Sequence, residues 1–294
     1  MQPVAHVPVL AHEVLECLQL QGCGLYVDGT LGLGGHTSLI LEGSVPRGRV
    51  IGFEWDIDAS DLATKRLVAF GDRFQLVRAS YAELLAELDR LNIAAIDGLL
   101  VDLGVSSLQL DSVGRGFSFK VDAPLDMRMD TEGSITAADL VQRLSEEELA
   151  DIFFHYGEER QARRIARFVV EARGREPVLT TRQLADIVAV AVPRKYHPKK
   201  IHVATKTFQA LRIAVNRELD NLTTLLADAP QVLRKGARVC IITFHSLEDR
   251  IVKKTFTENK AYQVVTRRPV IPTEEEINKN PRARSAKLRV ADRA

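Results

Sequence analysis

Four short runs of β-forming residues recur through the first third of the chain: Leu25–Asp28, Arg49–Phe53, Phe74–Arg78 and Ile96–Asp102. Each is separated from the next by a spacer long enough for a helix. Strands spaced in this way do not close as tight hairpins; they pair in parallel with crossover helices on the sheet faces, so the expected fold is α/β with a doubly wound sheet. The spacer after the third run opens with Ser80-Tyr-Ala-Glu83, a capping box ahead of Leu84, Leu85 and Leu88, which predicts a helix there. The runs end at or next to Asp28, Glu54 and Asp102. That puts carboxylates at the carboxyl edge of the sheet, where open α/β folds bind ligands.

From Gln109 to about Thr205 the strand signal stops. Ser145-Glu-Glu-Glu148 and Thr180-Thr-Arg-Gln183 are capping boxes that each lead an amphipathic run, so this stretch reads as a helical insert. Phe208, Leu211, Val215, Leu219, Leu222 and Leu226 then recur at helical spacing and predict one long helix facing a core. Gly236 closes that passage, Ala237–Phe244 reads as a buried strand, and Ser246-Leu-Glu-Asp249 starts another helix. Tyr262–Thr266 and Ser285–Val290 are expected to complete the sheet as a hairpin. The expected organisation is a first part at 1–108, an insert at 109–205 and a second part at 206–294.

The 294 residues carry 40 Lys and Arg against 39 Asp and Glu, with 46% hydrophobic positions. This composition supports a full core and excludes a uniformly basic coat, so any polyanion site is a local patch. Cys17, Cys23 and Cys240 have neither metal-site nor disulfide-framework spacing, which fits a reducing, cytoplasmic compartment. No signal peptide is expected from the first residues, and the longest aliphatic run, Ile187–Val192, is far shorter than a membrane span.

The first strand runs into Asp28-Gly-Thr-Leu-Gly-Leu-Gly-Gly-His36. Glycines at a strand-to-helix turn bring backbone N–H groups close to a ligand. The dinucleotide fingerprint fails, because Gly32 and Gly34 fit but Thr37 stands where its third glycine belongs; a Walker Lys-Ser/Thr pair is also missing. Glu54 lies twenty residues beyond Gly34, a spacing that suits a carboxylate accepting both ribose hydroxyls. A ribose-bearing ligand without a pyrophosphate, such as S-adenosylmethionine, fits this set better than NAD. Tyr81 is placed to cover an adenine, and Asp102 to meet an ammonium or the edge of the reaction centre. His36 reads as a helix-start residue rather than a base.

Longer strings carry a family likeness. His6-Val-Pro-Val-Leu10, Asp28-Gly-Thr with Gly34-Gly-His36, Asp102-Leu-Gly-Val-Ser-Ser-Leu-Gln109, Arg115-Gly-Phe-Ser-Phe119, Pro124-Leu-Asp-Met-Arg-Met-Asp130, Thr207-Phe-Gln-Ala-Leu-Arg212, Phe244-His-Ser-Leu-Glu-Asp-Arg250 and Asn280-Pro-Arg-Ala-Arg-Ser285 span nearly the whole chain. In these strings it resembles the small-subunit ribosomal RNA cytosine-N4 methyltransferases of the MraW type, also called methyltransferase H. The resemblance implies a class I methyltransferase with a Rossmann-like sheet and an inserted all-helical substrate domain. It also implies S-adenosylmethionine as cofactor, with contacts at Gly34, Gly35, His36, Glu54, Tyr81, Asp102 and Gln109. The expected substrate is the N4 amine of one cytidine in small-subunit ribosomal RNA, free or in the particle, and family members suggest a homodimer. The family usually has Asp where this chain has Glu54, and often Phe where it has Tyr81. Glu54 reaches one methylene further, so a slightly shifted ribose is expected.

Methyl transfer from a sulfonium is an in-line displacement in which positioning dominates. A cytosine amine gains nucleophilicity when acceptors hold its N–H groups and later take the proton. The Pro-Pro-aromatic motif that often follows the fourth strand in exocyclic-amine methyltransferases is absent, since that place reads Asp102-Leu-Gly-Val105. Asp126, His245 and Ser246 are the catalytic candidates, each with a plainer reading: a partner for Arg128, or a helix N-cap. No cysteine follows a proline, which disfavours ring-carbon methylation. The expected RNA contacts are Arg194, Lys195, Lys199, Lys200, Lys206 and Arg212, in an acid-free stretch that also holds Tyr196, His197 and His202. The stripe Arg160, Arg164 and Arg167 reads as a solvated face, and Arg282, Arg284, Lys287 and Arg289 crowd the C-terminus. The rivals to the enzyme are a non-enzymatic ribosome assembly factor with the same fold and, on the glycine loop alone, an NAD-dependent oxidoreductase.

Overall fold

The structure, a computed structural model, describes residues 8–294; His6, which opens one of the family strings, lies outside them. Its strands are β1 (Leu25–Asp28), β2 (Arg49–Phe53), β3 (Phe74–Val77), β4 (Ile96–Asp102), β5 (Leu233–Thr243), β6 (Tyr262–Val264) and β7 (Lys287–Arg293). They form one seven-stranded sheet in the order β3-β2-β1-β4-β5-β7-β6. The first five strands are parallel, and β7 runs antiparallel between β5 and β6. This is the expected doubly wound sheet of a class I methyltransferase. Strand order reverses between β1 and β4, which opens a crevice at their carboxyl ends. Asp28 and Asp102 are the last residues of those two strands.

Alternation along β4 drives the layering. Leu99 and Val101 enter one buried cluster with Val27, Ile51 and Leu226, while Leu100 enters another with Tyr26, Leu41 and Leu288. A strand apolar on both faces is what a sheet covered by helices on both sides requires.

Two compact units divide the chain: residues 1–104 with 219–294, and Val105–Glu218. The second is all-helical among its described residues apart from one isolated bridge, Pro124 to Thr180. Its core joins Phe153, Ile165, Leu184, Phe208 and Leu211. The boundaries differ from the sequence reading of 109–205, most of all at the far end. The apolar stripe that predicts one long helix is divided at Arg217, whose φ of 49° is left-handed, into helices Thr205–Asn216 and Glu218–Asp228. Phe208 and Leu211 serve the helical core, and Leu222, Leu225 and Leu226 serve the sheet core. One periodic pattern thus feeds two cores, and periodicity alone does not reveal where its partners change.

Two smaller expectations also shift. β5 begins at Leu233 and runs through Gly236, whose φ of 79° falls where the register with β4 slips; the glycine kinks the strand rather than preceding it. β6 and β7 pair antiparallel, but helix Glu274–Lys279 lies in the connection, so they are not a tight hairpin. The helix expected from Ser246 does start there and runs to Glu258, with His245 and Glu248 forming its capping box.

Candidate active site

The turn after β1 is stitched to both neighbouring strands. Gly29 N–H donates to Leu100 O at 2.8 Å and Leu31 N–H to Phe53 O at 3.0 Å, while Asp102 N–H donates to Thr30 Oγ1 at 2.6 Å. A side chain at Gly29 would lie 3.1 Å from Val101 Cγ2 and 3.3 Å from Tyr81 Cβ, so Tyr81 stands beside the start of the turn. Gly32 and Gly34 have φ of 53° and 76°, in the region that favours glycine. Their surroundings differ. A Cβ on Gly34 would press 3.0 Å from Leu67, whereas one on Gly32 would meet nothing nearer than 3.9 Å. Gly34 closes the packing against the next helix, and Gly32 leaves open space above the backbone. Gly35 begins the helix Gly35–Gly43.

Glu54 is bound to this turn. Its Oε2 accepts Gly32 N–H at 2.9 Å and its Oε1 accepts Asp56 N–H at 2.9 Å. Burial pushes its carboxyl up to about 7 against the pull of these two bonds. Asp28, also buried, accepts from Thr37 Oγ1 at 2.7 Å and from Thr30 N–H at 3.1 Å, and burial raises it to about 6. Burial, reinforced by the charges of Asp28 and Glu248, holds Asp102 well above the usual carboxylate range. Asp102 Oδ1 is buried without a hydrogen-bond partner. An orphaned buried acceptor is costly and marks a place built for a donor.

His36 reaches across this edge. Its Nε2 lies 2.9 Å from Val9 O, so Nε2 carries the proton, and Nδ1 faces Asp102 Oδ2 at 3.7 Å. That agrees with a structural helix-start role next to Asp102. Sequence reasoning missed Val9, Thr30, Thr37 and Asp56 as organisers of the site. Asp28-x-Thr30 as an Asx turn and Asp56 as the N-cap of helix Ile57–Leu67 were signals available for two of them.

Gln109 belongs to the helical unit, where its Oε1 accepts Ser106 N–H at 2.9 Å in a capping box. Asp126 is engaged by Arg128 at both oxygens, at 2.8 and 2.7 Å. Burial works against its ionisation, yet these bonds hold the carboxyl below the usual range, so it is a weak base. His245 is the N-cap of helix Ser246–Glu258; its Nδ1 accepts Glu248 N–H at 3.4 Å, and its Nε2 lies 3.1 Å from Glu248 Oε1. Ser246 is the first residue of that helix. The plainer readings of Asp126 and His245 therefore describe what their side chains do. Cys240 is buried in β5, and burial raises its thiol well above the ordinary range, which makes it a poor nucleophile.

The basic residues separate into two kinds. Arg194, Lys195, Lys199 and Lys200 are exposed. Arg212 is spent on a bidentate pair with Glu218, both bonds 2.8 Å, and only 17% of its side chain is exposed, so it is not part of an RNA surface. Lys206 Nζ donates to Glu158 O at 2.9 Å. Near the C-terminus, Arg289 and Lys287 pair with Asp249 at 2.6 and 3.2 Å, leaving Arg282 and Arg284 exposed. Arg164 is exposed but donates to Ala191 O, the end of helix Thr181–Ala191.

The donor set matches an adenosyl-amino-acid cofactor: an acid at the second strand, an open glycine turn and an orphaned acceptor at the fourth. A family model described as the MraW methylase family matches residues 3–294. The chain is similar to proteins named "Ribosomal RNA small subunit methyltransferase H". That of Desulfotalea psychrophila is 56% identical, covering 98% of each chain. That of Geotalea uraniireducens is 48% identical over 100% of each, and that of Cyanothece sp. is 50% identical over 98% of this chain and 94% of its own. With the profile running from one end to the other and the sheet, the glycine turn and the strand-end acids in their places, the chain belongs to the MraW methylase family.

Proposed function

We propose that this protein transfers a methyl group from S-adenosylmethionine to the N4 amine of a cytidine in small-subunit ribosomal RNA. The observation that carries this reading is the pairing of Glu54 with the open turn at Gly32, close to the buried, partnerless Oδ1 of Asp102. When bound, S-adenosylmethionine supplies a methyl group on a positively charged sulfur, already activated for displacement. Glu54 keeps one lone pair on each oxygen beyond its two backbone bonds, enough to accept two ribose hydroxyls. Asp102 Oδ1 would accept from the cofactor's ammonium, Tyr81 would cover its adenine, and Gly34, Gly35 and His36 would hold its amino-acid portion.

Asp126 and His245 already serve as structure, so this reading places catalysis in positioning rather than in a strong base. The target base has to leave its stack to meet the site, at a cost of a few kcal/mol that an unpaired position reduces. The helical unit, 105–218, is the RNA-recognition module in this reading, with Arg194, Lys195, Lys199 and Lys200 on phosphates. The family resemblance also supports a homodimer acting in the cytoplasm; among the described residues no helix is long and apolar enough to cross a membrane.

The test is incubation with methyl-labelled cofactor and unmodified small subunits, followed by digestion to nucleosides. Label is expected in N4-methylcytidine. Cofactor binding without any transfer would point instead to an assembly factor that has kept the fold.

A further inference from the structure

Between Asp186 and Glu218 the chain carries no acidic residue, and in the middle of that stretch lies a short, tightly organised loop. Tyr196 N–H donates to Pro193 O at 2.8 Å, His197 N–H to Arg194 O at 3.1 Å, and the His197 ring nitrogen Nε2 lies 2.9 Å from Val192 O. Pro193 and Pro198 bracket the turn. These bonds fix the backbone of Arg194–Tyr196 as a 3₁₀ turn, so its side chains project from a preorganised platform.

What projects is one aromatic ring among cations. Of the chain's five tyrosines, Tyr26 and Tyr262 are buried and Tyr81 and Tyr156 half-buried; Tyr196 alone is exposed, at 53%. Lys195 Nζ lies 4.9 Å from its ring centroid, and Arg194, Lys199 and Lys200, near it in sequence, are exposed. The bonds order the backbone that carries this tyrosine while about half of the residue stays open to solvent, so a ligand covering the ring would bury apolar area at little further cost in main-chain ordering. A ring beside a row of cations is the composition of a single-strand nucleic-acid site, in which bases stack on the aromatic face and phosphates lie along the charges.

We infer that Tyr196 is a stacking platform for an unpaired RNA base, with Lys195, Lys199 and Lys200 holding the phosphates on either side. The inference rests on the RNA-methyltransferase reading and sharpens it: this face of the helical unit grips a single-stranded segment, not a duplex. In A-form RNA the bases are stacked on one another and expose no free π-face, so a ring of this kind discriminates by strandedness rather than by sequence.

The test measures binding of the full chain to a labelled, unstructured single-stranded RNA and to a duplex of equal length, by anisotropy across a salt series. Tyr196→Ala is expected to weaken single-strand binding about tenfold, leave duplex binding unchanged and leave the salt slope unchanged. Tyr196→Phe should bind like the native chain, because stacking needs the ring and not the hydroxyl. Lys199→Ala with Lys200→Ala should lower the single-strand salt slope by about 0.7 for each phosphate that is no longer neutralised. Equal losses on both RNAs, no loss for Tyr196→Ala, or a Tyr196→Phe variant as weak as Tyr196→Ala would overturn the stacking role. Labelled methyl transfer to small subunits, run in parallel with the native chain, separates the two readings. Transfer with an indifferent Tyr196 removes only this inference, whereas absent transfer removes the enzyme and leaves the oligonucleotide data to decide the platform.

Discussion

The carboxylate of Glu54 closes onto the backbone of Gly32, 22 positions earlier, at 2.9 Å. The acid that follows β2 and the turn that follows β1 are therefore tied together by a hydrogen bond.

That coupling makes Glu54 a pH-dependent element of stability. Burial raises its carboxyl from 4.5 to about 7 in the folded chain, so the folded protein binds this proton more tightly than the unfolded one. Its contribution is full below pH 4.5 and is lost as pH climbs to about 7. Glu54→Gln does not titrate. Relative to the native chain it should gain on the order of 3 kcal/mol between these limits. Urea unfolding of both proteins at the two ends of the range measures this, and a pH-independent difference would contradict it. Cofactor affinity should run the other way, rising with pH through 7 in the native chain, because ribose hydroxyls favour the ionised acid. In Glu54→Gln that part of the rise should be missing from calorimetric titrations.

The two positive-φ glycines of the turn should respond unequally to alanine. At Gly32 the cost is backbone strain alone, about 1–2 kcal/mol. At Gly34 the same strain adds to a Cβ only 3.0 Å from Leu67, so the loss should exceed that at Gly32 by roughly another 1–3 kcal/mol. Melting curves give the ranking, and a reversed order would mean that the packing against Leu67 is not what demands a glycine.

Arg212→Ala should act on folding rather than on RNA. Removing the arginine leaves Glu218, 8% exposed, without its bidentate partner, and a buried pair broken on one side typically costs about 3–5 kcal/mol. A variant that stays as stable as the native chain while losing RNA affinity would restore Arg212 to the binding surface.

For His245 the capping geometry sets the expectation. His245→Ala should destabilise the chain by about 1 kcal/mol through loss of the N-cap, and His245→Asn should recover most of it. Turnover measured well below the melting temperature should be similar in both. A large fall in turnover in the asparagine variant, with stability preserved, would return the imidazole to the chemistry.

Local signals in the sequence were enough for the first four strands, because each is a short apolar run whose flanks break the pattern. They also sufficed for the capping boxes at Ser80, Ser145 and Thr180, which close within four residues and need no distant partner. Glu54 and Asp102 were readable as strand-end acids for the same reason. What tertiary structure decided is everything that depends on who stands opposite. Arg212 is indistinguishable from its basic neighbours until Glu218 folds back onto it. Asp126 is a candidate base until Arg128 takes both oxygens. The stripe from Phe208 to Leu226 is a single helix until two separate cores claim its halves at Arg217. A side chain's type is written in the chain, but the desolvation and pairing that determine its charge and its availability come from residues far away in sequence, and only the folded molecule brings those together.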